Sequence, residues 1–408
     1  MDEAYKSGQL YLFAPALITK EELFEAYYAC LKHKRYSKSA IEFELDLEHN
    51  LFSLLDDINN FTYKPEPYHV FIIDYPVKRE VFAASFRDRI VHHLVVNAIN
   101  PYMEKRLIYD CYACRVGKGT HFGINRLSHF MASSTNNWKE EAWCLKMDIK
   151  GFFMSIDRQI LWTRLRTYLL DVYKNDNLPI ILYLLEQIIF TDPTLGCKFC
   201  SPEWKWDGLA STKSLFTAPQ GKGLPIGNLT SQIMANFYLS ILDHFVKHDL
   251  SIKMYGRYVD DFFLIHKDKA YLKQCMQEIS GFLERELRLK LSEKKVALQR
   301  VRHGVKFLGV VVEIRHVNVS RRTVGLFYGA VREVSAQARD HRQSKAEMQR
   351  SVASINSYLG ILGHWDTFRV RRAGLQALDW RFWRRVRVEG KTSEVGENGV
   401  KETLILCC

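Results

Sequence analysis

Apolar residues at helical spacing dominate the N-terminal part of the chain. The stripe starts at Thr19 and continues past Leu55 to the turn-forming segment FTYKPEPY, which predicts one or two helices. Two strand-type runs follow in VFIIDYPVKREVFAASF, separated by a short basic turn at Lys78 and Arg79. Helical spacing then returns in RDRIVHHLVVNAINPYMEKRL. The pattern therefore predicts a basic hairpin followed by a helix.

The middle of the chain alternates between strands and helices. After the polar break SSTNNWKEE, the run WCLKMDIKGFFMSI predicts a buried strand that ends at Asp148. The turn-rich TDPTLGCKFCSPEWKWDGLASTKS is interpreted as an insertion, and GNLTSQIMANFYLSILDHFVKH predicts a long helix. Two apolar arms in SIKMYGRYVDDFFLIH predict a hairpin with Asp260 and Asp261 at its tip, and a helix follows in AYLKQCMQEISGFLERELRL.

The C-terminal part combines strand-type runs with basic helical segments. VKFLGVVVEI predicts a strand, and TVGLFYGAV is interpreted as a second hairpin. Basic helices are predicted from there to Val388, with Trp380 and Trp383 packing against other helices. The last segment, EGKTSEVGENGVKETLILCC, has no periodic pattern and is expected to be a loose tail.

Composition and charge narrow the class of protein. The 408 residues are 47% hydrophobic and 25% charged, which indicates a globular chain with two or three subdomains. A net charge of +12 predicts an electric field that attracts polyanions such as nucleic acid. No run approaches the roughly 20 apolar residues of a membrane span, and the acidic N-terminus lacks a signal-peptide pattern. We therefore expect a cytoplasmic protein with no membrane partner.

Asp148, Asp260 and Asp261 are the candidate catalytic, metal-binding carboxylates. A strand that ends at Asp148, placed beside the predicted hairpin tip, brings three carboxylates to one edge of a sheet. Nucleotidyl transfer uses two divalent cations a few ångströms apart, and oxygen ligands suit Mg²⁺. Each motif alone has a structural alternative, because paired aspartates favour turns and Asp148 can cap a helix.

The ordered set MDIKGFF, GLPIGNLTSQ, YVDD, LSEKKV and KFLG resembles the reverse transcriptases, from about Phe52 to about Trp383. The resemblance implies an α+β fold of the right-hand polymerase type, with fingers, an antiparallel-sheet palm and a helical thumb. The expected domains are an N-terminal helical extension (1–50), fingers (51–140), palm (141–325, with an inserted segment at 160–215), thumb (326–388) and flexible tail (389–408).

The resemblance also implies roles for individual residues around the metals. Asp148, Asp260 and Asp261 take the family's metal-ligand positions, with the backbone carbonyl of Ile149 as a further ligand to two Mg²⁺ ions, for which Mn²⁺ can substitute. Phe153 takes the position of the gate that excludes a 2′-hydroxyl. The alternative for Phe153 is an ordinary core aromatic.

Further residues are expected to contact the dNTP. Lys78 and Arg79 lie where the family's finger hairpin grips the triphosphate, although both also suit a solvated turn. Lys295 matches the position that protonates the pyrophosphate leaving group, and the adjacent Lys294 leaves the register open.

Nucleic-acid contacts are expected at two further places. Arg115, in the Gly-flanked basic segment CRVGKGT, is expected to approach a phosphate backbone, with an exposed turn as the alternative. Lys306 to Gly309 resemble the primer-grip turn that supports the growing 3′ end.

The dNTP-binding segment around Gly227 departs from most of the family. Ile226 replaces a Gln before Gly227, and Gln232 replaces a Pro after the Ser. This pattern resembles the reverse transcriptases of diversity-generating retroelements, which recopy a template RNA with frequent errors at adenines. An Ile cannot make the hydrogen bonds that a Gln offers, so discrimination that rests on them is lost. The alternative is that Ile226 is a packing variant without effect on errors.

The resemblance implies several partners: a structured template RNA, its cDNA product, dNTPs and a small basic accessory protein that forms a pentamer. An antiphage defence reverse transcriptase is the first alternative function. A non-catalytic RNA-binding scaffold and an RNA-dependent RNA polymerase are the others, disfavoured by the three aspartates and by Phe153 with YVDD respectively. Fewer than thirty residues follow the thumb, so a ribonuclease H or endonuclease domain is not expected.

Nine cysteines without a secretion signal indicate reduced thiols. Cys111 with Cys114 and Cys197 with Cys200 have the composition of a zinc site, but the long spacing between the pairs favours two separate pairs. The predicted metal therefore stays Mg²⁺.

Overall fold

The computed structural model describes residues 16–32, 34–74, 77–340, 344–389 and 403–406. These residues form a mixed α+β protein, which confirms the fold class expected from the sequence. The chain divides into two compact units, unit 1 with residues 1–123 and 145–298, and unit 2 with residues 124–144 and 299–408.

The helices of the described chain, in order, are α1 (Lys20–Leu31), α2 (Lys38–Glu44), α3 (Leu47–Asn59), α4 (Phe86–Arg106), α5 (Thr120–Ser134), α6 (Phe152–Ser155), α7 (Arg158–Val172), α8 (Leu178–Phe190), α9 (Leu229–His244), α10 (Lys269–Leu287), α11 (Arg321–Arg339), α12 (Lys345–Leu362), α13 (Phe368–Gln376) and α14 (Trp380–Trp383). The strands are β1 (His69–Ile73), β2 (Arg79–Ala83), β3 (Trp143–Asp148), β4 (Lys198–Phe199), β5 (Met254–Tyr258), β6 (Asp261–His266), β7 (Ala297–Arg300), β8 (Val305–Phe307), β9 (Val310–Glu313), β10 (His316–Val319), β11 (Val386–Glu389) and β12 (Thr403–Leu406).

Side-chain caps define where several of these helices begin. Thr19 and Glu22 form a reciprocal capping box at the start of α1. Asp157 accepts hydrogen bonds from two backbone amides at the start of α7, and Asp268 does the same for α10. Such caps satisfy N–H groups that have no partner inside the helix. The boundaries therefore follow from local sequence chemistry.

The predicted basic hairpin is confirmed as β1 and β2, which pair antiparallel with His69 opposite Ala83. The inserted segment adds β4 parallel to β1, so the sheet has the order β2-β1-β4. The buried Glu80 on β2 ties the insertion to the hairpin. Its carboxylate accepts hydrogen bonds from Trp206 Nε1 (2.8 Å), Ser214 Oγ (2.8 Å) and the Leu215 amide (2.7 Å).

The second sheet of unit 1 has the order β5-β6-β3-β7. The start of β3 and the end of β7 continue into unit 2. Strands β5 and β6 pair antiparallel with Tyr258 opposite Asp261, which leaves Val259 and Asp260 as a two-residue turn. The long helices α4 and α9 contact each other, and α9 buries twelve of its sixteen residues. The strand at Asp148, the hairpin at Asp260 and the long helix that starts beside Asn228 are therefore confirmed as predicted.

Unit 2 contains the antiparallel order β10-β9-β8 and a helical core. Phe327, Ile355, Leu359 and Phe382 are buried in that core. Trp383 packs against it as predicted. The same prediction is wrong for Trp380, which is 53% exposed, with the guanidinium groups of two neighbouring arginines over its ring.

The hairpin expected through TVGLFYGAV is wrong, because these residues lie in α11. Ser320 accepts a hydrogen bond from the Thr323 amide and so begins a helix whose buried side chains are spaced three or four residues apart. In the segment expected to be a loose tail, β12 pairs antiparallel with β11. Residues 1–15, 390–402 and 407–408, on which the rest of the terminal predictions fall, lie outside the described residues.

Among the helices of the described ranges, none combines the length and the hydropathy that crossing a membrane would require.

Candidate active site

The three candidate carboxylates lie at the same edge of the β5-β6-β3-β7 sheet. Asp148 is the last residue of β3, Asp260 is in the β5–β6 turn, and Asp261 begins β6, the strand next to β3. The Ile149 amide donates a hydrogen bond to the Asp260 carbonyl (3.3 Å), which fixes the end of β3 against the turn. The Asp148 carbonyl accepts one from the Ser292 amide (2.8 Å). The structure therefore brings together three aspartates that are far apart along the chain, as predicted.

The electrostatics of the edge reflect burial of the aspartates first and crowding of like charges second. Burial, together with the charge of Asp148, raises the pKa of Asp260 to about 6. Burial raises the pKa of Asp261 to about 6 as well, with Asp148 adding to the shift and Lys146 opposing it. An edge of this kind attracts cations, because each bound positive charge relieves the repulsion.

Two lysines neutralise part of this charge. Lys295 Nζ lies 2.7 Å from Asp148 Oδ2, so the register that was open between Lys294 and Lys295 places Lys295 at the site. Lys146 Nζ lies 3.0 Å from Asp261 Oδ2. Lys146 is not among the residues predicted from the sequence, although alternation along a strand puts residues 146 and 148 on the same face.

The donor set fits a hard divalent cation. The Asp261 Oδ1 atom is buried without a hydrogen-bond partner, which leaves a charged oxygen that a metal ion would satisfy. Within the described ranges, no three or more His, Cys, Asp or Glu side chains are already arranged around a common metal position. Lysine nitrogens stand against two of the three carboxylates instead.

Phe153 and Ile226 pack against the same apolar cluster, which contains Tyr68, Val70, Phe82, Ala84, Met154 and Leu215. The Leu224 amide donates to the Phe153 carbonyl (2.8 Å), and the Phe82 amide donates to the Ile226 carbonyl (2.9 Å). The expected gate and the expected dNTP-binding segment are therefore joined to strand β2.

Gly227 and Gln232 flank the start of α9. Gly227 has a φ of +120°, and a Cβ there would lie 2.7 Å from Val81 Cγ1, so no other residue fits without a shift. Asn228 accepts from the Ala84 amide (3.2 Å) and donates to the Phe82 carbonyl (3.0 Å). Gln232 is exposed in the first turn of α9. The segment at Gly227 and Asn228 is thus held against the end of strand β2 by hydrogen bonds to backbone groups.

Arg79 and Lys78, beside the turn between β1 and β2, have different surroundings. Arg79 is exposed at the start of β2. Lys78 Nζ donates to the Asp207 carbonyl (2.7 Å) and is thereby tied to the inserted segment. Arg79 has the exposure that a triphosphate contact requires, whereas Lys78 would have to leave its present partner.

Arg115 has a structural role that the sequence did not indicate. Its guanidinium binds Glu104 (2.7 Å) and donates to the carbonyls of Ile108 (2.7 Å) and Cys111 (3.1 Å). The side chain is 9% exposed. Contact with a phosphate backbone stays a prediction that requires rearrangement of these bonds.

Lys306 and Gly309 lie in unit 2, on the β8–β9 hairpin. Phe307 pairs with Val310, and the two turn residues Leu308 and Gly309 have φ of +47° and +87°. Positive φ at both positions matches the two-residue turns that join twisted antiparallel strands. The exposed Lys306 precedes this turn, so the KFLG motif forms a tight hairpin tip.

The CxxC pairs have different surroundings. Cys111 is buried, its thiol donates to Asn236 Oδ1 (3.7 Å), and burial raises its pKa to about 11. The Cys111 thiol therefore has its partner inside the protein core. Cys200 Sγ lies 3.5 Å from His69 Nδ1 beside the β1 strand.

Comparisons with known proteins place the chain in a family. The family profile described as "Reverse transcriptase (RNA-dependent DNA polymerase)" matches residues 78–312. Protein YkfC of Escherichia coli (strain K12) is 22% identical over 283 residues, which cover 62% of this chain and 65% of YkfC.

Solved structures of telomerase show a weaker likeness. Apo telomerase from Candida tropicalis, truncated from its C-terminal domain, is 13% identical with a TM-score of 0.45, covering 65% of this chain and 59% of that one. Telomerase from Candida albicans in complex with a fragment of telomeric RNA is 10% identical with a TM-score of 0.44, covering 80% and 58%. The chain spans less than two thirds of the length of each relative. Because the profile matches more than half of the 408 residues and includes all three aspartates, this chain belongs to the reverse transcriptase family.

Proposed function

We propose that this protein is an RNA-directed DNA polymerase that copies a structured template RNA into cDNA from dNTPs, in the cytoplasm. The observation that carries the proposal is the convergence of Asp148, Asp260 and Asp261 at one sheet edge, with a buried carboxylate oxygen of Asp261 left without a partner. Membership of the reverse transcriptase family supports the reaction type.

Members of this family generally use divalent metal ions, and we propose Mg²⁺, with Mn²⁺ as a substitute. Asp148, Asp260 and Asp261 would hold two ions, together with the Ile149 carbonyl. Bound there, they would activate the primer 3′-hydroxyl and neutralise the leaving pyrophosphate. We assign to Lys295, whose Nζ lies 2.7 Å from Asp148 Oδ2, the role of holding a proton for the leaving group.

We assign the remaining predicted residues to substrate binding. Arg79 and Lys78 would bind the triphosphate, and Phe153 would exclude a 2′-hydroxyl beside Ile226, Gly227 and Gln232. The shared apolar cluster supports this assignment. Because Ile226 and Phe153 pack against the same side chains, a substitution at Ile226 would also alter the packing of Phe153.

We propose that basic residues hold the nucleic acid, and each unit is considered by itself. The β1–β2 hairpin would belong to the fingers, the four-stranded sheet to the palm, and helices α11–α14 to the thumb. In unit 2, Lys306 and the α13 residues Arg369 and Arg372 are exposed cations suited to phosphate contacts. Arg115 is a further candidate in unit 1.

The subtype we propose is that of diversity-generating retroelements, with errors concentrated opposite template adenines and a small basic pentameric accessory protein as partner. Ile226 supports it, because its side chain is apolar where most of the family offers a hydrogen-bonding Gln. An antiphage defence role is the alternative function, and it would share the same metal site.

The test is primer extension on an RNA template with Mg²⁺ and dNTPs, with and without the accessory protein, followed by sequencing of the product. Asp260→Asn should abolish synthesis, whereas Asp249→Asn, an exposed aspartate of the same unit, should not. Absence of synthesis by the wild type would overturn the polymerase proposal in favour of a scaffold. Ribonucleotide incorporation would indicate an RNA polymerase.

The subtype has its own comparison. Ile226→Gln should lower the error rate opposite adenine, whereas Ile226→Leu, which keeps the apolar character, should leave it near that of the wild type. Accurate or untemplated synthesis by the wild type would reject the diversification role and favour the defence role.

A further inference from the structure

A fully buried ion pair lies directly behind the turn that carries Asp260. Arg257 and Asp243 have no exposed side-chain surface. Arg257 Nη2 lies 2.6 Å from Asp243 Oδ2, and Nε donates to Asp243 Oδ1 at 2.7 Å, so the pair is bidentate. Burial opposes the charge of Arg257, but the adjacent carboxylate more than offsets it and raises the pKa of the guanidinium.

The remaining donors of Arg257 reach Asn236 and the active-site turn. Nη1 donates to Asn236 Oδ1 (3.2 Å) and to the Val259 carbonyl (3.0 Å), and Nη2 donates to the Asn236 carbonyl (3.4 Å). A guanidinium has five N–H donors, and these contacts use all of them. A lysine could not reproduce them, because its donors radiate from one atom.

Val259 has an unfavourable backbone conformation. Its φ is +56°, in the left-handed region that β-branched residues rarely adopt. This residue immediately precedes Asp260 in the two-residue turn, so its conformation sets the direction in which the Asp260 carboxylate leaves the hairpin. A hydrogen bond to its carbonyl opposes relaxation of the turn.

The position of Arg257 is itself fixed by a neighbouring segment. Its amide donates to the Asp110 carbonyl (2.9 Å), and its carbonyl accepts from the Tyr112 amide (2.9 Å). The Tyr112 ring covers Gly256, where any Cβ would collide with the tyrosine hydroxyl. The backbone of Arg257 is thus fixed by the segment at Asp110 and Tyr112, while its Nη1 atom donates to the turn at Val259.

We infer that Arg257 is a positioning residue for the polymerase reaction, which holds Val259 in its left-handed conformation and thereby aims Asp260 at the metal ions. This inference rests on the proposed role of Asp260 as a metal ligand. A buried ion pair gives little net stability compared with apolar residues of the same volume, so stability alone does not explain it. The hydrogen bond from Arg257 to the Val259 carbonyl gives the buried arginine a role beyond stability.

The test compares Arg257→Lys with Tyr255→Phe. The lysine keeps a cation beside Asp243 but cannot also hold the Val259 carbonyl. The control removes a hydroxyl that donates to the same carboxylate (2.7 Å) and leaves the turn contact intact. Mn²⁺ binding, followed by electron paramagnetic resonance without nucleic acid, and the kcat and KM of primer extension are measured on variants whose folding is verified by thermal unfolding.

Arg257→Lys should weaken Mn²⁺ binding about tenfold, as expected for loss of one charge-assisted hydrogen bond, and lower kcat more than it raises KM for dNTP. Tyr255→Phe should change Mn²⁺ binding less than about twofold. Adding Val259→Gly to Arg257→Lys should restore Mn²⁺ binding, because glycine adopts positive φ without strain. A merely structural arginine would show no such rescue.

The outcomes separate this inference from the proposed function. If the wild type neither binds Mn²⁺ nor extends primers, the proposed function fails. If the wild type does both and Arg257→Lys behaves like Tyr255→Phe, or Val259→Gly restores nothing, the positioning role is overturned.

Discussion

Acidification should destabilise unit 1 through one buried histidine, His92 on α4. Its ring is 2% exposed, and Nδ1 lies 2.8 Å from the Thr230 hydroxyl at the start of α9. Burial, with smaller contributions from His93 and Arg89, lowers the pKa of His92 from 6.5 to about 3. The folded protein therefore keeps this ring neutral at a pH where the unfolded chain takes up a proton.

The sign and size follow from proton linkage. The contribution of His92 to the free energy of unfolding is fully present above the unfolded pKa of about 6.5. It is lost as the pH falls toward the folded pKa of about 3, because the unfolded state then binds a proton that the folded state does not. At about 1.36 kcal/mol per pKa unit, the loss between about pH 7 and about pH 5 is about 2 kcal/mol.

The measurement is the free energy of urea unfolding at these two pH values for the wild type, His92→Gln and His49→Gln. His92→Gln should lose about 2 kcal/mol less than the wild type on acidification, because glutamine does not titrate. His49 is exposed, so its variant should follow the wild type. Equal pH dependence of the wild type and His92→Gln would refute the assignment.

Three further predictions concern the scaffold of the site. Glu80→Gln should lower the free energy of unfolding by about 2–4 kcal/mol, because an amide cannot accept all three hydrogen bonds that the carboxylate accepts, whereas exposed Glu66→Gln should be neutral in the same denaturation assay. Gly256→Ala should lower the unfolding midpoint, since its Cβ has no space, while Gly281→Ala in α10 meets only a flexible arginine and should not; equal midpoints would contradict this. Phe153→Ala should reduce discrimination against ribonucleotides about tenfold or more, measured as the ratio of kcat/KM for dNTP and NTP, and an unchanged ratio would reject the gate assignment.

The elements around the site were predictable because their signals are local. The strand at Asp148 and the hairpin at Asp260 and Asp261 are short apolar runs with sharp ends, and both were confirmed. TVGLFYGAV was misinterpreted because valine, phenylalanine and tyrosine favour strands over a short window. The longer stripe through Phe327, Val331 and Val334, preceded by the Ser320 cap, indicates the helix that forms.

The partners of the site residues were less predictable. Lys146 was within reach of sequence reasoning, because it lies two residues before Asp148 on one strand. Arg257 was not, because its partner Asp243 is fourteen residues earlier on a helix, and only the packing of that helix against the sheet joins them. The internal bonds of Arg115 have the same tertiary origin, and a basic Gly-flanked loop gives no sign of them.

The two lysines of the site explain how three carboxylates share one sheet edge in the folded chain. Lys146 is 23% exposed and lies on β3. Because β3 is the neighbour of β6 in the sheet, their pairing brings the Lys146 charge beside Asp261. Lys295 is 62% exposed at the end of the one-turn 3₁₀ helix Glu293–Lys295, so it can leave Asp148 with little loss of packing. Together they offset part of the repulsion among the three aspartates. The charge of the three carboxylates is thus only partly compensated in the folded chain. Lys295 is the more exposed of the two lysines, so a cation that approaches Asp148 displaces it with little rearrangement.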